Sequence, residues 1–113
     1  MSRGKIVLVP FPFDDLSATK LRPALCLTEP FGAHKHIILA FITSVAPGDA
    51  TDTDLYLDAR DAEFGTTGLR VSSTVRLHRL LSVSAILITR ELGTLSGTSM
   101  ELVSKKLRTL FSL

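Results

Sequence analysis

Short apolar runs, each about the length of a β-strand, alternate with turn-forming residues along most of the chain. Residues 5–9 and 36–44 are apolar and rich in β-branched side chains, which predicts two buried strands with a third at residues 23–28 between them. The first strand is expected to end at Pro10, because proline lacks the amide proton that a strand ladder uses. Residues 10–22 are then expected to form a long loop, and such a loop in a small domain is commonly functional.

The second half of the chain continues the pattern of strands and ends in a helical one. Residues 54–58 alternate apolar and acidic side chains, as a half-exposed strand does. Residues 71–77 predict a further strand that residues 80–84 continue, and Gly93 is expected to close a short turn. Ser96 can cap a final helix, whose apolar side chains recur at helical spacing. The apolar positions of this helix are Met100, Val103, Leu107, Leu110 and Phe111.

Together these elements predict a mainly β protein, a small and strongly bent antiparallel barrel of about six short strands with one C-terminal helix. A chain of 113 residues is expected to form one domain, residues 1–113, and 45% apolar residues are too many for a disordered chain. The absence of Trp and the single Tyr argue against an aromatic platform for stacking nucleic-acid bases.

The sequence also indicates the compartment. No apolar run approaches the roughly 20 residues that span a bilayer, and the N-terminus runs directly into a strand, so we expect neither a membrane anchor nor a signal peptide. The single Cys26 cannot form an internal disulfide, and its apolar surroundings predict a buried thiol. A reducing cytoplasm fits this cysteine usage, and a cysteine-based metal site is excluded.

The formal net charge of +2 is uninformative, but the charges are unevenly distributed. Residues 49–63 contain six acidic side chains and one arginine, whereas residues 70–90 contain four arginines and no acid. The basic segment is a candidate anion site, and the acidic segment is a candidate acidic rim on the surface. Two solvated surfaces of opposite sign would give the same pattern.

The predicted strand at residues 71–78 carries candidates for chemistry. Its apolar side chains share one face, which is expected to fill the core: Val71, Val75 and Leu77. Thr74, Arg76 and His78 share the other face, with Arg76 and His78 about 7 Å apart along the strand. That spacing suits a phosphate held between a permanent cation and a group that exchanges protons near neutral pH. An exposed polar strand face without catalytic function is the alternative.

Two further places carry groups suited to phosphate. Arg22 precedes Pro23, which disfavours a helical conformation for it, and its alternative role is that of an ordinary surface arginine. Thr43 and Ser44 end an apolar strand, where hydroxyls bind phosphate or a base edge, or simply cap the last backbone groups.

His34 and His36 form a His-x-His pair whose rings would face one side of a strand, a spacing found in metal sites. No third ligand lies nearby in the sequence, although the acidic residues 49–63 contain possible ones. We therefore predict no metal and no cofactor.

Five segments, taken in order along the chain, resemble the PemK/MazF family of toxin endoribonucleases from bacterial toxin–antitoxin pairs. They are residues 4–13 (GKIVLVPFPF), 22–25 (RPAL), 42–44 (ITS), 73–81 (STVRLHRLL) and 92–96 (LGTLS). The resemblance covers nearly the whole chain and implies the family's SH3-like barrel of about six to seven antiparallel strands with a C-terminal helix.

The resemblance also implies which residues act. The family's arginine before proline matches Arg22 and its threonine after the apolar strand matches Thr43, both in the RNA-cleaving site, with Ser44 beside them as a substrate contact. In a PemK-like branch the catalytic pair is an arginine and an acid two residues later. The arginine matches Arg76, whereas His78 stands in place of the acid and is chemically able to take its role. Further substrate contacts are expected from Phe13, Lys20, Thr74 and Arg79.

The implied reaction is metal-independent, sequence-selective cleavage of single-stranded RNA. A base removes the proton of a ribose 2′-hydroxyl, the 2′-oxygen attacks the adjacent phosphate, and the products carry a 2′,3′-cyclic phosphate and a 5′-hydroxyl. Arg22 and Arg76 are expected to stabilise the charge that develops on the phosphorane. Thr43 is expected to orient the phosphate and His78 to exchange protons. Replacing either arginine with alanine is expected to abolish cleavage without unfolding the protein.

The same resemblance implies a cytoplasmic homodimer in which single-stranded RNA crosses a groove shared by two subunits, with no membrane association. It also implies a cognate antitoxin whose acidic, disordered tail folds over that groove, with the basic residues 70–90 as a candidate landing place.

Two other functions fit the same fold. A toxin group with this barrel binds DNA gyrase and cuts nothing, and its contacts lie near the dimer axis and the terminal helix. Arg22, Thr43 and Arg76 favour the nuclease over this binding module. A degenerate relative that binds RNA without cleaving it is the other alternative, which the histidine at position 78 leaves open. Salt-dependent RNA binding without product would identify it.

Overall fold

One six-stranded antiparallel sheet and a C-terminal helix make up the fold in the computed structural model, which describes residues 2–11 and 20–113. The strands are β1 (Lys5–Phe11), β2 (Lys20–Cys26), β3 (His36–Thr43), β4 (Asp54–Leu57), β5 (Ser73–Ser84) and β6 (Arg90–Thr94), and the helix is α1 (Gly97–Phe111). The strands lie in the order β4-β5-β3-β2-β1-β6 and form a curled half-barrel. The predicted bent antiparallel barrel with a C-terminal helix is confirmed.

A wide bulge in β5 bends this sheet. Leu80 of β5 pairs with Ala40 of β3, yet the next residue of β3, Phe41, pairs with Arg76. Residues 77–79 of β5 therefore have no partner in β3. Because a bulge bends its strand and increases the local twist, these residues lie where the sheet folds over.

Both faces of the sheet are buried, because alternate residues of each strand point into two different apolar clusters. The first cluster includes the inner side of α1 and contains Ile6, Leu25, Ile42, Val75, Leu77, Met100 and Val103, among others. The second contains Val7, Val9, Ala24, Cys26, Leu39 and Phe41, among others. Burial on both faces explains why β1 and β3 read as continuous apolar runs rather than as alternating ones.

The helix begins as the sequence predicts. The Ser96 hydroxyl accepts a hydrogen bond from the Ser99 amide at 3.2 Å, which caps α1. Met100 and Val103 are buried, but Phe111 is 57% exposed, because the apolar cluster along this helix extends only to Leu107. No helix in the described ranges is long and apolar enough to cross a membrane.

Three local predictions are wrong. The first strand does not end at Pro10 but continues to Phe11; β6 pairs with β1 only from Lys5 to Leu8, so Pro10 lies on an edge where its missing amide proton costs no ladder bond. Gly93 lies inside β6 rather than in a turn. Val71 is 54% exposed, because β5 begins only at residue 73. The loop predicted at residues 10–22 is too long at both ends, since β1 includes Phe11 and β2 begins at Lys20; residues 12–19 lie outside the described ranges.

The thiol of Cys26 provides a direct check on the second apolar cluster. Cys26 is completely buried, and this burial raises the pKa of its thiol to about 11. Since only the thiolate reacts, we expect the folded protein at pH 8 to leave a disulfide reagent unconsumed while the urea-unfolded protein reacts completely. Rapid reaction of the folded protein, followed by absorbance, would contradict the buried position.

Candidate functional site

Strand pairing brings most of the predicted catalytic residues to one face of the sheet. Thr43 lies opposite Thr74, and two residues further along, Phe41 lies opposite Arg76. Cross-strand partners point to the same side of a sheet, so these four side chains share a face. His78 joins them, because its Nε2 atom lies 3.5 Å from Nη2 of Arg76.

Arg22 reaches the same face from β2. Ala24 is the strand partner of Phe41, so Arg22, two residues earlier, points to the side of the sheet that carries Thr43. Pro23 between them takes part in the ladder with β1, opposite Leu8. We call the face formed in this way the polar face; its members are Arg22, Thr43, Thr74, Arg76 and His78.

Arg76 is held by two carboxylates. Its Nε donates to Oδ1 of Asp54 at 2.9 Å, and its Nη1 donates to Oδ1 of Asp49 at 3.1 Å. The residue is only 6% exposed, and the Asp54 side chain is 8% exposed. The hydrogen bond with Asp49 raises the pKa of Arg76, and the hydrogen bond from Arg76 lowers the pKa of Asp49. The sequence predicted an open cation here, and the structure shows a paired one.

This pairing changes the interpretation of the charge pattern. Asp49 and Asp54 belong to the acidic residues 49–63, and Arg76 belongs to the basic residues 70–90. The two segments therefore meet at Arg76, and this pairing removes Arg76 from the open basic surface. Asp54 is further fixed by the backbone amide of Thr51, which donates to its Oδ2 at 2.9 Å. Arg76 and Asp54 thus anchor the loop between β3 and β4.

The third guanidinium nitrogen of Arg76 is the least constrained. Among the described residues, Nη2 makes two long contacts, each of 3.5 Å, to the carbonyl oxygen of Asp49 and to His78. His78 is exposed and lies in the bulge of β5. A neutral His78 ring can accept a proton while Arg76 beside it keeps its positive charge, which is the combination required at a reacting phosphate.

Of the other predicted site residues, Thr43 and Arg79 contact nearby residues and Ser44 is exposed. The Thr43 hydroxyl accepts from the Val45 amide at 3.2 Å, which caps the end of β3, and Ser44 is exposed beyond it. The guanidinium of Arg79 lies 5.0 Å from the centre of the Phe41 ring, a cation–π distance.

Three further residues were predicted to contact the substrate: Lys20, Thr74 and Phe13. Lys20 is exposed at the start of β2, and Thr74 is buried beside Thr43. Phe13 lies outside the described residues. His34 and His36 contact each other edge to face with ring centres 6.0 Å apart, and no cluster of three or more metal-ligating side chains occurs within residues 2–11 and 20–113.

Two depressions adjoin the polar face. The β4 groove, of about 500 Å³, is lined by Ser44, Pro47, Asp54, Tyr56, Ser73 and Thr74, among others. The arginine pocket, of about 300 Å³, is lined by Arg22, Arg70 and Arg90 together with apolar residues such as Leu69 and Leu92. Ser44 and Ser73 line both, so the two depressions are neighbours that meet at the end of β3 and the start of β5.

Sequence reasoning made residues 70–90 a candidate anion site, but it missed the pocket that joins Arg70 and Arg90 to Arg22, and it missed the carboxylate partners of Arg76. The signals were present in part, since the acidic and basic segments are complementary and Gly68 and Gly93 mark places without room for a side chain. Which acid meets which base depends on the order of the strands, and the sequence pattern does not supply that order.

Comparison with known proteins gives one family and a consistent fold. The profile of the family described as PemK-like, MazF-like toxin of type II toxin–antitoxin system matches residues 2–111. No curated protein matches the chain.

Solved structures match over almost the full length. Toxin MazF-mt6 of Mycobacterium tuberculosis superposes with a TM-score of 0.73 at 20% identity, covering 96% of this chain and 97% of that one. MazF from Deinococcus radiodurans gives 0.74 at 22% identity, covering 100% and 97%. An endoribonuclease in complex with its cognate antitoxin, from a mycobacterial species, gives 0.73 at 14% identity, covering 100% and 96%. At these identities the likeness shows a shared fold.

Proposed function

The chain belongs to the PemK-like, MazF-like family of toxins of type II toxin–antitoxin systems, and we propose that it is a metal-independent, sequence-selective endoribonuclease that cleaves single-stranded RNA. The observation that carries this proposal is the polar face, where Arg22 and Thr43 lie on the same side of the sheet as the adjacent Arg76 and His78. Positioned cations and a proton-exchanging group are what phosphoryl transfer to an internal hydroxyl requires.

The proposed reaction uses the RNA's own nucleophile. A base takes the proton of the ribose 2′-hydroxyl, the 2′-oxygen forms a bond to phosphorus, and the bond from phosphorus to the 5′-oxygen breaks. The leaving oxygen takes up a proton, so the products are a 2′,3′-cyclic phosphate and a 5′-hydroxyl. DNA lacks the 2′-hydroxyl and is expected to remain intact.

Each residue of the polar face has its own proposed role in this reaction. Arg22 supplies a planar, permanently charged fork for the phosphate oxygens. Thr43, at the end of β3, offers a hydroxyl that orients the phosphate, and it would exchange its contact with the Val45 amide for one with the substrate. His78 exchanges the protons. These roles rest on the family match of Arg22 and Thr43 and on the chemistry of an imidazole at position 78.

Arg76 has a narrower role than its sequence position indicates. Two of its nitrogens hold Asp54 and Asp49, so we propose that only Nη2 faces the reacting phosphate, next to His78. The carboxylates fix the orientation of the guanidinium and reduce its net field at the site. We propose Arg22, which the family resemblance assigns to the cleaving site, as the principal cation for the transition state, with Arg76 supporting His78.

Partners follow from the family. One structural neighbour is an endoribonuclease in complex with its cognate antitoxin, and we propose that this chain likewise binds an antitoxin, with an acidic and disordered tail. We further propose that it acts as a cytoplasmic homodimer. It is expected to need no cofactor, because the nucleophile comes from the substrate and the charge stabilisation from arginines.

The capture of Arg76 by Asp49 and Asp54 favours one competing function, a relative that binds RNA but does not cut it. A buried arginine already paired with carboxylates contributes less to a phosphorane than a free one does. Such a protein would bind RNA with strong salt dependence and release no product. The gyrase-binding toxin remains the second alternative.

Incubation of the purified protein with a long single-stranded RNA in EDTA tests the proposal directly. We expect fragments cut at preferred sites, with 2′,3′-cyclic phosphate and 5′-hydroxyl ends identified by end-group analysis, and no cutting of a DNA of the same sequence. Intact RNA from folded protein would reject the nuclease. RNA binding measured on the same sample would then separate the degenerate relative from the gyrase binder.

A further inference from the structure

The arginine pocket lies beside the polar face but contains none of the proton-exchanging groups, and the reaction described above assigns no role to Arg70 or Arg90. We propose that this pocket is a second phosphate subsite, which binds an internucleotide phosphate of the same RNA strand away from the bond that is cut. The proposal rests on the proposed nuclease function for the identity of the strand. Its residues, however, are separate from the catalytic ones except for Arg22, which lines the pocket.

The charge of the pocket points to an anion. Arg22, Arg70 and Arg90 line it, and no aspartate or glutamate is among the lining residues. Neither Arg70 nor Arg90 makes a side-chain hydrogen bond or ion pair with any other residue in the part of the chain that the structure describes. Arg76 differs, since two carboxylates hold it. Arg70 and Arg90 can therefore attract phosphate through their charge and through their planar donor geometry.

The pocket is held by two close backbone contacts. Gly68 has a left-handed conformation with φ of 74°, and a Cβ there would collide with the backbone of Leu92 in β6. A Cβ on Gly93 would collide with the backbone of Thr66 and Thr67. The segment after the 3-10 helix Phe64–Thr67 therefore lies directly against β6. This contact brings the arginines at positions 70 and 90 to one pocket although they are far apart in sequence.

A hydrogen bond also joins the 3-10 helix to β6. The Thr66 hydroxyl donates to the carbonyl oxygen of Thr94 at 3.2 Å, on the far side of Gly93 from Leu92. Backbone held in this way at both glycines gives the arginines a defined base, which loose surface loops would not provide. The cost of ordering the backbone of the site is already met by folding, and this favours binding.

The walls of the pocket favour a nucleotide over a carboxylate side chain. Apolar side chains stand beside the arginines, among them Leu69, Val71 and Leu92, and the volume is about 300 Å³. An apolar wall gives a nucleobase a surface to pack on, while an aspartate or glutamate peptide has no counterpart for it. The shared lining residues Ser44 and Ser73 place the pocket next to the β4 groove, so a strand that leaves the groove around the end of β3 would meet it.

Binding of an uncleavable RNA tests the subsite without any need for catalysis. The probe is a single-stranded 2′-O-methyl RNA of about 10 nucleotides, within the usual site size of single-strand binders. We expect Arg70→Ala and Arg90→Ala each to weaken its binding about 10-fold. We also expect the double variant to reduce the slope of log affinity against log salt by about 1. Arg108→Ala, an equal charge change on α1, is the matched control and is expected to bind as the wild type does.

The possible results distinguish an RNA subsite from a site for a protein partner and from no subsite. Unchanged affinity and salt slope in the double variant, with thermal unfolding like that of the wild type, would overturn the subsite, as would a wild-type protein that does not bind the probe. Loss of an acidic peptide's binding in these variants, with RNA binding intact, would assign the pocket to a protein partner instead. If the variants weaken probe binding but the wild type leaves ordinary RNA uncut, the subsite stands and the nuclease proposal falls.

Discussion

Replacing Arg22 with alanine is expected to lower the rate of RNA cleavage by about 100- to 1,000-fold, the usual cost of removing one charge-stabilising donor from a phosphoryl or acyl transfer site. Two of the nitrogens of Arg76 are bound to carboxylates, so Arg76 cannot replace the lost fork. Because Arg22 is only partly buried at the start of β2, its removal leaves both apolar clusters untouched. The variant is therefore expected to fold.

The measurement is single-turnover cleavage of a short RNA that contains one cut site, with fragment ends analysed as before. Arg22→Lys separates charge from geometry, since lysine keeps the positive charge but lacks the planar fork. We expect it to recover only part of the lost rate. Arg60→Ala is the matched control, because Arg60 is an exposed arginine paired with Asp58 outside the polar face. A cleavage rate for Arg22→Ala within a few-fold of the wild type would remove Arg22 from the catalytic role.

The fold could be predicted from the sequence because its signals are local and strong. Continuous apolar runs predict strands buried on both faces, as β1 and β3 are, and a capping serine followed by helical periodicity predicts α1. Gly93 misled the sequence analysis because a glycine inside a strand and a glycine in a turn look alike. Only the neighbouring Thr66 and Thr67 backbone explains why this strand position excludes a side chain.

The site was predicted only in part, for a related reason. The resemblance to the family made Arg22, Thr43 and Arg76 candidates, and strand alternation predicted that Arg76 and His78 share one face. The environment of Arg76 depends on β4 pairing with β5, which brings Asp54 opposite Arg76 across the sheet. Contacts between strands distant in sequence are set by topology, so a buried ion pair looked from the sequence like an open cation and a separate acidic rim.

The buried ion pair leads to a second large effect, which concerns stability. Arg76→Ala is expected to lower the free energy of unfolding by about 3 kcal/mol, because it leaves the Asp54 carboxylate buried without its cation. This value is at the lower end of what breaking such a pair costs, since the pair lies beneath a single loop and Asp49 above it is 80% exposed. The sequence predicted that Arg76→Ala would not unfold the protein. The buried ion pair instead leads us to expect a large loss of stability.

A double-mutant cycle with Asp54→Ala identifies the cause. Asp54→Ala alone is expected to be costly as well, since it leaves the Arg76 charge buried and frees the Thr51 amide. The double variant leaves no unpaired buried charge, so in urea unfolding it should be about 1 kcal/mol more stable than Arg76→Ala, and its loss should fall well short of the sum of the single losses. Simple additivity would show that the pair is not coupled in the folded protein. Asp49→Ala, which removes the exposed partner only, serves as the control and should change stability little.

The cycle also decides how loss of activity in Arg76→Ala is to be interpreted. If Arg76 acts mainly by neutralising the buried Asp54 carboxylate, the double variant should regain stability and part of the cleavage rate together. If Nη2 acts on the phosphate beside His78, the double variant should regain stability while cleavage stays as slow as in the single variant. Cleavage is compared at a temperature where every variant is folded. If the cleavage rate follows stability across all three variants, Arg76 takes no part in the chemistry. Arg22 is then the only arginine that the proposed mechanism uses.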